Sequence, residues 1–242
     1  MRVIFLAAGK STRMYKRIKK NKCLIKINKK PLIKHLIEEV KNTGINKISI
    51  VTGFRSSYLK KELKDQKNID YIFNKKYNST EMLYSLILGL KKYDTDIIIS
   101  YTDILFNKEI IKKIIKNRTK NITLPILKNW KRIWKIRNMD PLKDGETLFI
   151  DKKNFLKSIG DRIKNLNIIK YQYMGLILIP KNQRKRVISA YKEIKNDKKM
   201  HATSFLNYLI YKKFLINSVI VSKGWYEFDN YEDYVNYKKK YN

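Results

Sequence analysis

Cysteine, proline and glycine are scarce in this sequence of 242 residues, at 1, 4 and 8 copies. A single cysteine excludes an internal disulfide framework, and with only 2 histidines beside it the usual zinc clusters are excluded too. So little glycine and proline leaves no linker rich in either, and the few copies present mark turns that the chain needs. Long apolar stretches are also missing. Runs such as Val3 to Leu6 and Ile97 to Ile99 stop far short of the roughly 18 residues that cross a bilayer. The first apolar stretch runs straight into Gly9 with no cleavage-type region behind it, so no signal peptide is read and a reducing cytoplasm is the expected compartment.

Acidic residues are few as well, 21 against 55 Lys and Arg, which leaves a formal charge of +34. Such an excess raises the possibility of a basic nucleic-acid-binding protein, because clustered cations bind phosphates by releasing counterions. Here 45 Lys and 10 Arg are spread from end to end among Ile, Asn and Tyr rather than gathered into a patch. The charge is therefore read as compositional and nucleic acid is disfavoured as a partner, although the field still attracts anionic nucleotides.

With 43% hydrophobic residues the chain can bury one substantial core, which fits a single α/β domain over residues 1–242. Its first half alternates strands at 2–8, 46–52, 69–73, 96–101 and 121–126 with helices at about 31–43, 56–65, 81–92 and 107–117. That alternation predicts a mostly parallel mixed sheet with helices on both faces. Right-handed crossovers then put the loops after the strands along one edge, where ligands of open α/β folds bind. The second half predicts an aromatic and basic segment at 128–137, a strand at 171–179, helices near 181–195 and 202–213, a strand at 216–222 and a helix after Asn230. No internal repeat is present.

The loop after the first strand reads Leu6-Ala7-Ala8-Gly9-Lys10-Ser11-Thr12-Arg13-Met14. Its small residues let a backbone approach a ligand closely, and its amides can cradle phosphates. Gly9-Lys10-Ser11-Thr12 mimics the end of a P-loop, but position 4, where that motif needs a glycine, is Ile. A dinucleotide-binding loop is excluded because Gly9 is the only glycine in the first 40 residues. Cys23 has no neighbouring His to activate it and reads as a packing residue. His35 and His201 read as a helix-surface residue and a cap neighbour.

Asp103 follows the strand that ends at Tyr101, at the ligand-binding edge, where a metal ligand belongs. In Trp225-Tyr226-Glu227-Phe228-Asp229 strand-like alternation would turn Glu227 and Asp229 to one side. Asp229 reads equally as the N-cap of the helix that follows. Trp130, Trp134 and Arg137 share one face of any helix there, at spacings of four and three, and such a stripe reads equally as core.

This pattern resembles the sugar-phosphate and alkyl-phosphate nucleotidyltransferases, and among them most closely the phosphocholine cytidylyltransferases. The opening Leu-Ala-Ala-Gly with Arg13 and Met14, the pair Lys22-Cys23 and the stretch Lys30-Pro31-Leu32 carry the match. Weaker blocks follow at Asn74 to Leu86, Asn129 to Arg137 and Gln172 to Leu176. The resemblance implies a Rossmann-like nucleotidyltransferase fold, with a nucleotide-binding part at about 1–126 and a small acceptor-binding lobe at about 127–229. It implies Arg13 and Lys22 as the catalytic cations on the triphosphate, and Mg2+ held by Asp103 and Asp229. Glu227 would be a further ligand or the partner of a lysine. Leu6 to Thr12 together with Thr80, Glu81 and Ser85 would bind the nucleotide. Glu81 stands where the family has an amide, and Ser79 or Thr80 also suits a helix N-cap. Trp130, Trp134, Arg137 and Tyr173 would hold the acceptor. The implied reaction moves CMP from CTP to a small phosphorylated or phosphonate acceptor, phosphocholine-like or an aminoalkyl phosphonate, and its nearest rival uses a sugar 1-phosphate with UTP or dTTP.

Overall fold

The computed structural model describes residues 1–194 and 199–241, with the side chains of Arg13 and Tyr15 outside that description. The chain opens with β1 (Arg2–Ala7), α1 (Thr12–Ile18), a small ribbon of β2 (Lys26–Ile27) and β3 (Lys30–Pro31), and α2 (Leu32–Lys41). There follow β4 (Ile48–Thr52), α3 (Ser56–Glu62), β5 (Ile69–Phe73), α4 (Met82–Lys92) and β6 (Ile97–Tyr101). Next come β7 (Ile104–Phe106), α5 (Lys108–Lys116), β8 (Ile122–Leu127), α6 (Trp130–Arg137) and α7 (Pro141–Asp144). The second half holds β9 (Glu146–Ile150), β10 (Leu156–Arg162), β11 (Gln172–Tyr173), β12 (Leu176–Ile179), α8 (Lys181–Glu193) and α9 (Ala202–Tyr211). It closes with β13 (Ile216–Val221), β14 (Trp225–Glu227) and α10 (Tyr231–Tyr241).

The central eight-stranded sheet runs β11-β8-β12-β6-β1-β4-β5, with β13 added against β8. Strands β6, β1, β4 and β5 pair in parallel, as do β8 and β13, whereas β12 is antiparallel to both β6 and β8. This is the mostly parallel mixed sheet that the sequence predicts. Alternation along β1 sends Val3 and Phe5 into the core layer under α2 and α5, and Ile4 and Leu6 into the layer under α4, α8 and α9. The helices fold against these layers because their apolar residues recur on one stripe. In α5 that stripe is Ile110, Ile111 and Ile114, each buried and each stabilising by about 1.5–3 kcal/mol, while most of its lysines face water. No helix among the described residues is long and apolar enough to cross a membrane.

Three predicted boundaries change. The strand expected at 171–179 is broken into β11 and β12 at Gly175, whose φ of +71° is a left-handed conformation that favours glycine. The segment between α7 and β11, to which the sequence assigns no element, contains the antiparallel pair β9 and β10. The helix expected to reach residue 195 is seen to Glu193, and residue 195 lies outside the described residues.

The most consequential pairing is a small one. β14 runs antiparallel to β7, with Glu227 opposite Ile104, and the Phe228 amide donates to the Asp103 carbonyl at 2.8 Å. It carries the end of the chain back to the edge of the sheet from which the loops after β1 and β6 leave.

Candidate active site

At that edge lies a cavity of about 440 Å³. One wall is the loop after β1, contributing Leu6, Ala7 and Gly9 to Thr12; the opposite wall is the turn Tyr77 to Met82 leading into α4. Asn21, Lys22, Cys23, Thr102, Asp103, Lys199 and Asp229 complete it. The loop is held open by its ends: Thr102 Oγ1 donates to the Leu6 carbonyl at 2.9 Å, and the Ala8 carbonyl accepts from the Phe54 amide at 3.0 Å. A Cβ at Gly9 would meet no protein atom beyond its chain neighbours within 4 Å, so packing does not explain glycine there. Ser11 sits at φ +54°, a left-handed conformation that costs a non-glycine residue about 1–2 kcal/mol. Its carbonyl accepts from the Met14 amide at 3.1 Å as the chain enters α1.

Lys22 Nζ donates to Asp103 Oδ2 at 3.1 Å and to Asp229 Oδ1 at 3.2 Å. Burial by itself lowers the ammonium's pKa, but the two carboxylates outweigh it and hold Lys22 charged, above its ordinary value. Asp103 Oδ1 is buried and finds no hydrogen-bond donor among the described residues. Two carboxylates thus converge on one cationic point, with an acceptor oxygen to spare. No group of three or more His, Cys, Asp or Glu among the described residues forms a closed metal cage. A pair of aspartates beside an open cavity suits an ion such as magnesium, which keeps water and substrate oxygens in its shell.

The predicted site residues separate into two groups. Leu6, Ala7, Gly9, Lys10, Ser11, Thr12, Lys22, Thr80, Glu81, Asp103 and Asp229 all line the cavity. Arg13 stands on α1, and its side chain lies outside the described residues. Ala8 is buried behind the loop. Ser85 lies behind the wall as well, buried and accepting from Asn74 Nδ2 at 3.1 Å, which pins the Tyr77 to Met82 turn to α4. That helix has Glu81 at its N-cap position, not Ser79 or Thr80, and Thr80 Oγ1 donates to the Lys76 carbonyl at 2.8 Å.

The expected acceptor residues lie elsewhere. Trp130 and Trp134 are core residues at 1% and 4% exposure, stacked edge-on at 5.7 Å, and Trp134 lies against Trp225 at 6.4 Å. Arg137 is fully buried and ion-paired with Glu227 at 2.9 Å, Asp144 at 3.0 Å and Asp233 at 3.0 Å. Glu227 therefore faces Arg137, whereas Asp229 faces Lys22. Burial raises the Glu227 carboxyl, Arg137 lowers it, Asp103 and Asp229 raise it again, and the balance leaves it at about 8. Tyr173 packs edge-on against Tyr101 at 5.8 Å, outside the cavity lining.

Helix α10 is capped by Asn230, not Asp229: Asn230 Oδ1 accepts from the Asp233 amide at 2.9 Å, and Asp233 Oδ2 accepts from the Asn230 amide at 3.0 Å. Cys23 is 3% exposed and burial pushes its thiol up to about 12, which fits packing and not nucleophilic chemistry. Asn21, Thr102 and Lys199 are wall residues that sequence reasoning missed, none of them in a spacing that marks a ligand contact, and Cys23, read as packing, also borders the cavity.

Residues 3–156 match the MobA-like NTP transferase domain. The chain belongs to that family and is a nucleotidyltransferase. A CTP:phosphoglutamine cytidylyltransferase of Campylobacter jejuni is 30% identical over 96% of this chain and 97% of its own length. A choline-phosphate cytidylyltransferase of Streptococcus pneumoniae is 36% identical over 44% of this chain and 46% of its own. Among solved structures, the inositol-1-phosphate CTP transferase of T. maritima superposes with a TM-score of 0.81 at 19% identity, covering 98% of this chain and 93% of that one. The CTP:phosphocholine cytidylyltransferase of S. pneumoniae superposes at 0.75 and 20% identity, covering 100% and 99%. Likeness to these structures establishes the nucleotidyltransferase fold.

Proposed function

We propose that this nucleotidyltransferase moves CMP from CTP to a small phosphorylated acceptor in a magnesium-dependent reaction. The observation that carries the reading is the convergence of Lys22, Asp103 and Asp229 at the rim of the loop cavity, in a chain whose full-length C. jejuni relative is named for cytidylyl transfer to phosphoglutamine. An acceptor oxygen attacks the α-phosphorus of CTP; its bond to phosphorus forms as the bond to the β-phosphate oxygen breaks, and pyrophosphate leaves with that electron pair. The acceptor is already ionised, so no general base is required. Lys22 and the loop after β1 meet the negative charge that builds on the leaving group, and Arg13 is assigned the same task. Magnesium, when bound by Asp103 and Asp229, supplies further positive charge against the triphosphate. Positioning of two anions in one cleft contributes most of the remaining acceleration.

Residues to about 126, with Thr80 and Glu81, are assigned to the nucleotide, and about 127–229 to the acceptor side. A cytoplasmic location belongs to the same reading, because the proposed reaction draws on CTP. The test is pyrophosphate release from CTP, UTP, dTTP, ATP and GTP with phosphoglutamine, phosphocholine, an aminoalkyl phosphonate and a sugar 1-phosphate. Turnover selective for CTP with one of the first three acceptors supports the reading. Turnover only with UTP or dTTP and the sugar phosphate replaces it.

A further inference from the structure

Arg137 is the largest charged group in the core, and the cleft does not touch it. Its guanidinium, at 0% exposure, binds Asp233 through both Nε at 3.0 Å and Nη2 at 3.2 Å, and Asp233 is itself at 0% exposure. The same Asp233 carboxylate turns the other way as well: Oδ2 accepts from the Asp229 amide at 2.7 Å and from the Asn230 amide at 3.0 Å. On the other flank, Arg137 Nη1 donates to Glu227 Oε2 at 2.9 Å, two residues before Asp229. One buried cation thus fixes the chain on both sides of the aspartate that meets Lys22. Asp144 Oδ2 at 3.0 Å and the bond from Asn236 Nδ2 to the Arg137 carbonyl at 2.9 Å fix Arg137 in turn.

Core stability alone gives little reason to keep such a group, since a buried ion pair replaced by well-packed apolar residues is often no less stable. What the pair supplies is direction. A hydrogen-bonded carboxylate behind a ligand's backbone fixes where that ligand points, and losing such outer partners typically costs about 10–100-fold in metal affinity or activity.

We propose that Arg137 and Asp233 are positioning residues that hold Asp229 toward the divalent cation, and that neither touches substrate. The proposal rests on the reading of Asp229 as a metal ligand. It separates Arg137 from the acceptor, with which its place beside two tryptophans in sequence had associated it.

The test uses the whole chain and four variants: Asp233→Asn, Arg137→Lys, Asn230→Ala and Asp229→Asn. Binding of Mn2+ alone is followed by the EPR signal of the free ion, and the Mg2+ dependence of turnover is measured separately from KM for CTP at saturating metal. Asp233→Asn and Arg137→Lys are expected to weaken Mn2+ binding and to raise the half-saturating Mg2+ by about tenfold or more, with KM for CTP within about twofold of wild type. Asn230→Ala removes a cap bond of α10 but leaves Asp233 in place, so it should lower the melting temperature and leave Mn2+ affinity unchanged.

If Asp233→Asn and Arg137→Lys melt earlier yet bind Mn2+ as wild type does, the two residues are structural and the proposal is overturned. The same follows if Asn230→Ala weakens Mn2+ binding as much as Asp233→Asn, because fraying of α10 then explains both. Should Asp233→Asn not fold, Arg137→Lys, which keeps a cation among the three carboxylates, decides alone. Asp229→Asn separates the two levels: unchanged Mn2+ binding there removes the ligand assignment itself, whereas its loss beside an unaffected Asp233→Asn removes only the positioning role.

Discussion

Phe228 donates its amide to the carbonyl of Asp103 at 2.8 Å, and this one bond aligns two acidic residues, Asp103 and Asp229, that are distant in the sequence. It extends the β7–β14 pairing by a step, so that Asp103 leaves the sheet edge beside Asp229 and both reach Lys22 Nζ. Sheet register, and not sequence proximity, therefore builds the charged centre. A shift of β14 against β7 would move Asp229 away from Lys22, because the register of β14 sets where the turn that carries Asp229 begins.

That geometry sets the first expectation. Asp103→Asn keeps the side chain's size and removes its charge from the centre, so turnover should fall about 10²–10³-fold, the cost of losing one preorganised charge-stabilising group. The fold should persist, because Asp103 joins the β7–β14 pairing through its backbone carbonyl, which the substitution keeps. Pyrophosphate release together with the melting curve checks both halves. Near wild-type turnover in a folded variant would remove Asp103 from the mechanism.

The strand that leads into the loop gives a second. Gly89 on α4 lies against Ile4 of β1, and a Cβ there would come within 2.9 Å of Ile4 Cδ1 and 3.2 Å of Cγ2. Gly89→Ala gains about 0.8–1.0 kcal/mol of helix propensity, but overpacking a closed core costs about 1–3 kcal/mol. Ile4 is at 0% exposure in the central strand and has little room to yield, so a net loss of about 1 kcal/mol is expected. Ile4→Val removes the clashing methyl. Denaturant unfolding of the double variant should show favourable coupling above about 0.5 kcal/mol, and strict additivity would mean that the two residues do not press on each other.

What the sequence reveals and what it hides both follow from burial. Strands β1, β4 and β6 are legible because they are buried on both faces and largely apolar, and the loop after β1 is legible because Gly9 has no packing role. The pair β9–β10 is hidden by Lys152, Lys153, Lys157, Asp161 and Arg162 and by irregular register between Ile159 and Arg162, which erase the period-two signal. In α6 the spacing of Trp130, Trp134 and Arg137 does give one shared face, but periodicity cannot say whether a face meets core or cleft. Glu227 and Asp229 part company because β14 ends at Glu227 and the chain then turns, so alternation no longer applies.

Glu146 gives a prediction in pH. Burial raises its carboxyl above the ordinary 4.5; Thr203 Oγ1, at 3.5 Å, and the nearby His201 pull it down, and Asp144 and Asp161 push it up. As pH rises through 4.5 the unfolded chain loses this proton first, so the folded state binds more protons and its stability falls until the raised value is passed. Glu146→Gln removes that loss. The variant should gain stability over wild type at pH 7 and show little or no gain at pH 4, read as the difference in urea midpoints. A gain of equal size at both pH values would point to packing and not ionisation.

The indoles of α6 provide the last expectation, because acceptor binding and core packing predict opposite results for them. Trp130 donates its Nε1–H to the Ile169 carbonyl at 3.4 Å, and Trp134 is packed between Trp130 and Trp225, so neither presents a face to the cavity. Truncating a buried tryptophan to alanine costs about 3–5 kcal/mol. In a chain of this size each kcal/mol moves the melting temperature by about 2–4 °C, so Trp130→Ala and Trp134→Ala should each melt about 6–20 °C lower. Trp134→Phe is the discriminating variant, since it keeps an aromatic ring in the stack and loses only the larger indole. Its KM for phosphocholine, and the ratio of that KM to the value for an uncharged alkyl phosphate of similar size, should both stay within about twofold of wild type. A cation held over an indole face would instead lose up to about 2 kcal/mol, a change of roughly thirtyfold confined to the cationic acceptor. Such a selective loss in a variant that melts normally would place Trp134 in the acceptor site, and unchanged selectivity with a lowered melting temperature leaves it in the core.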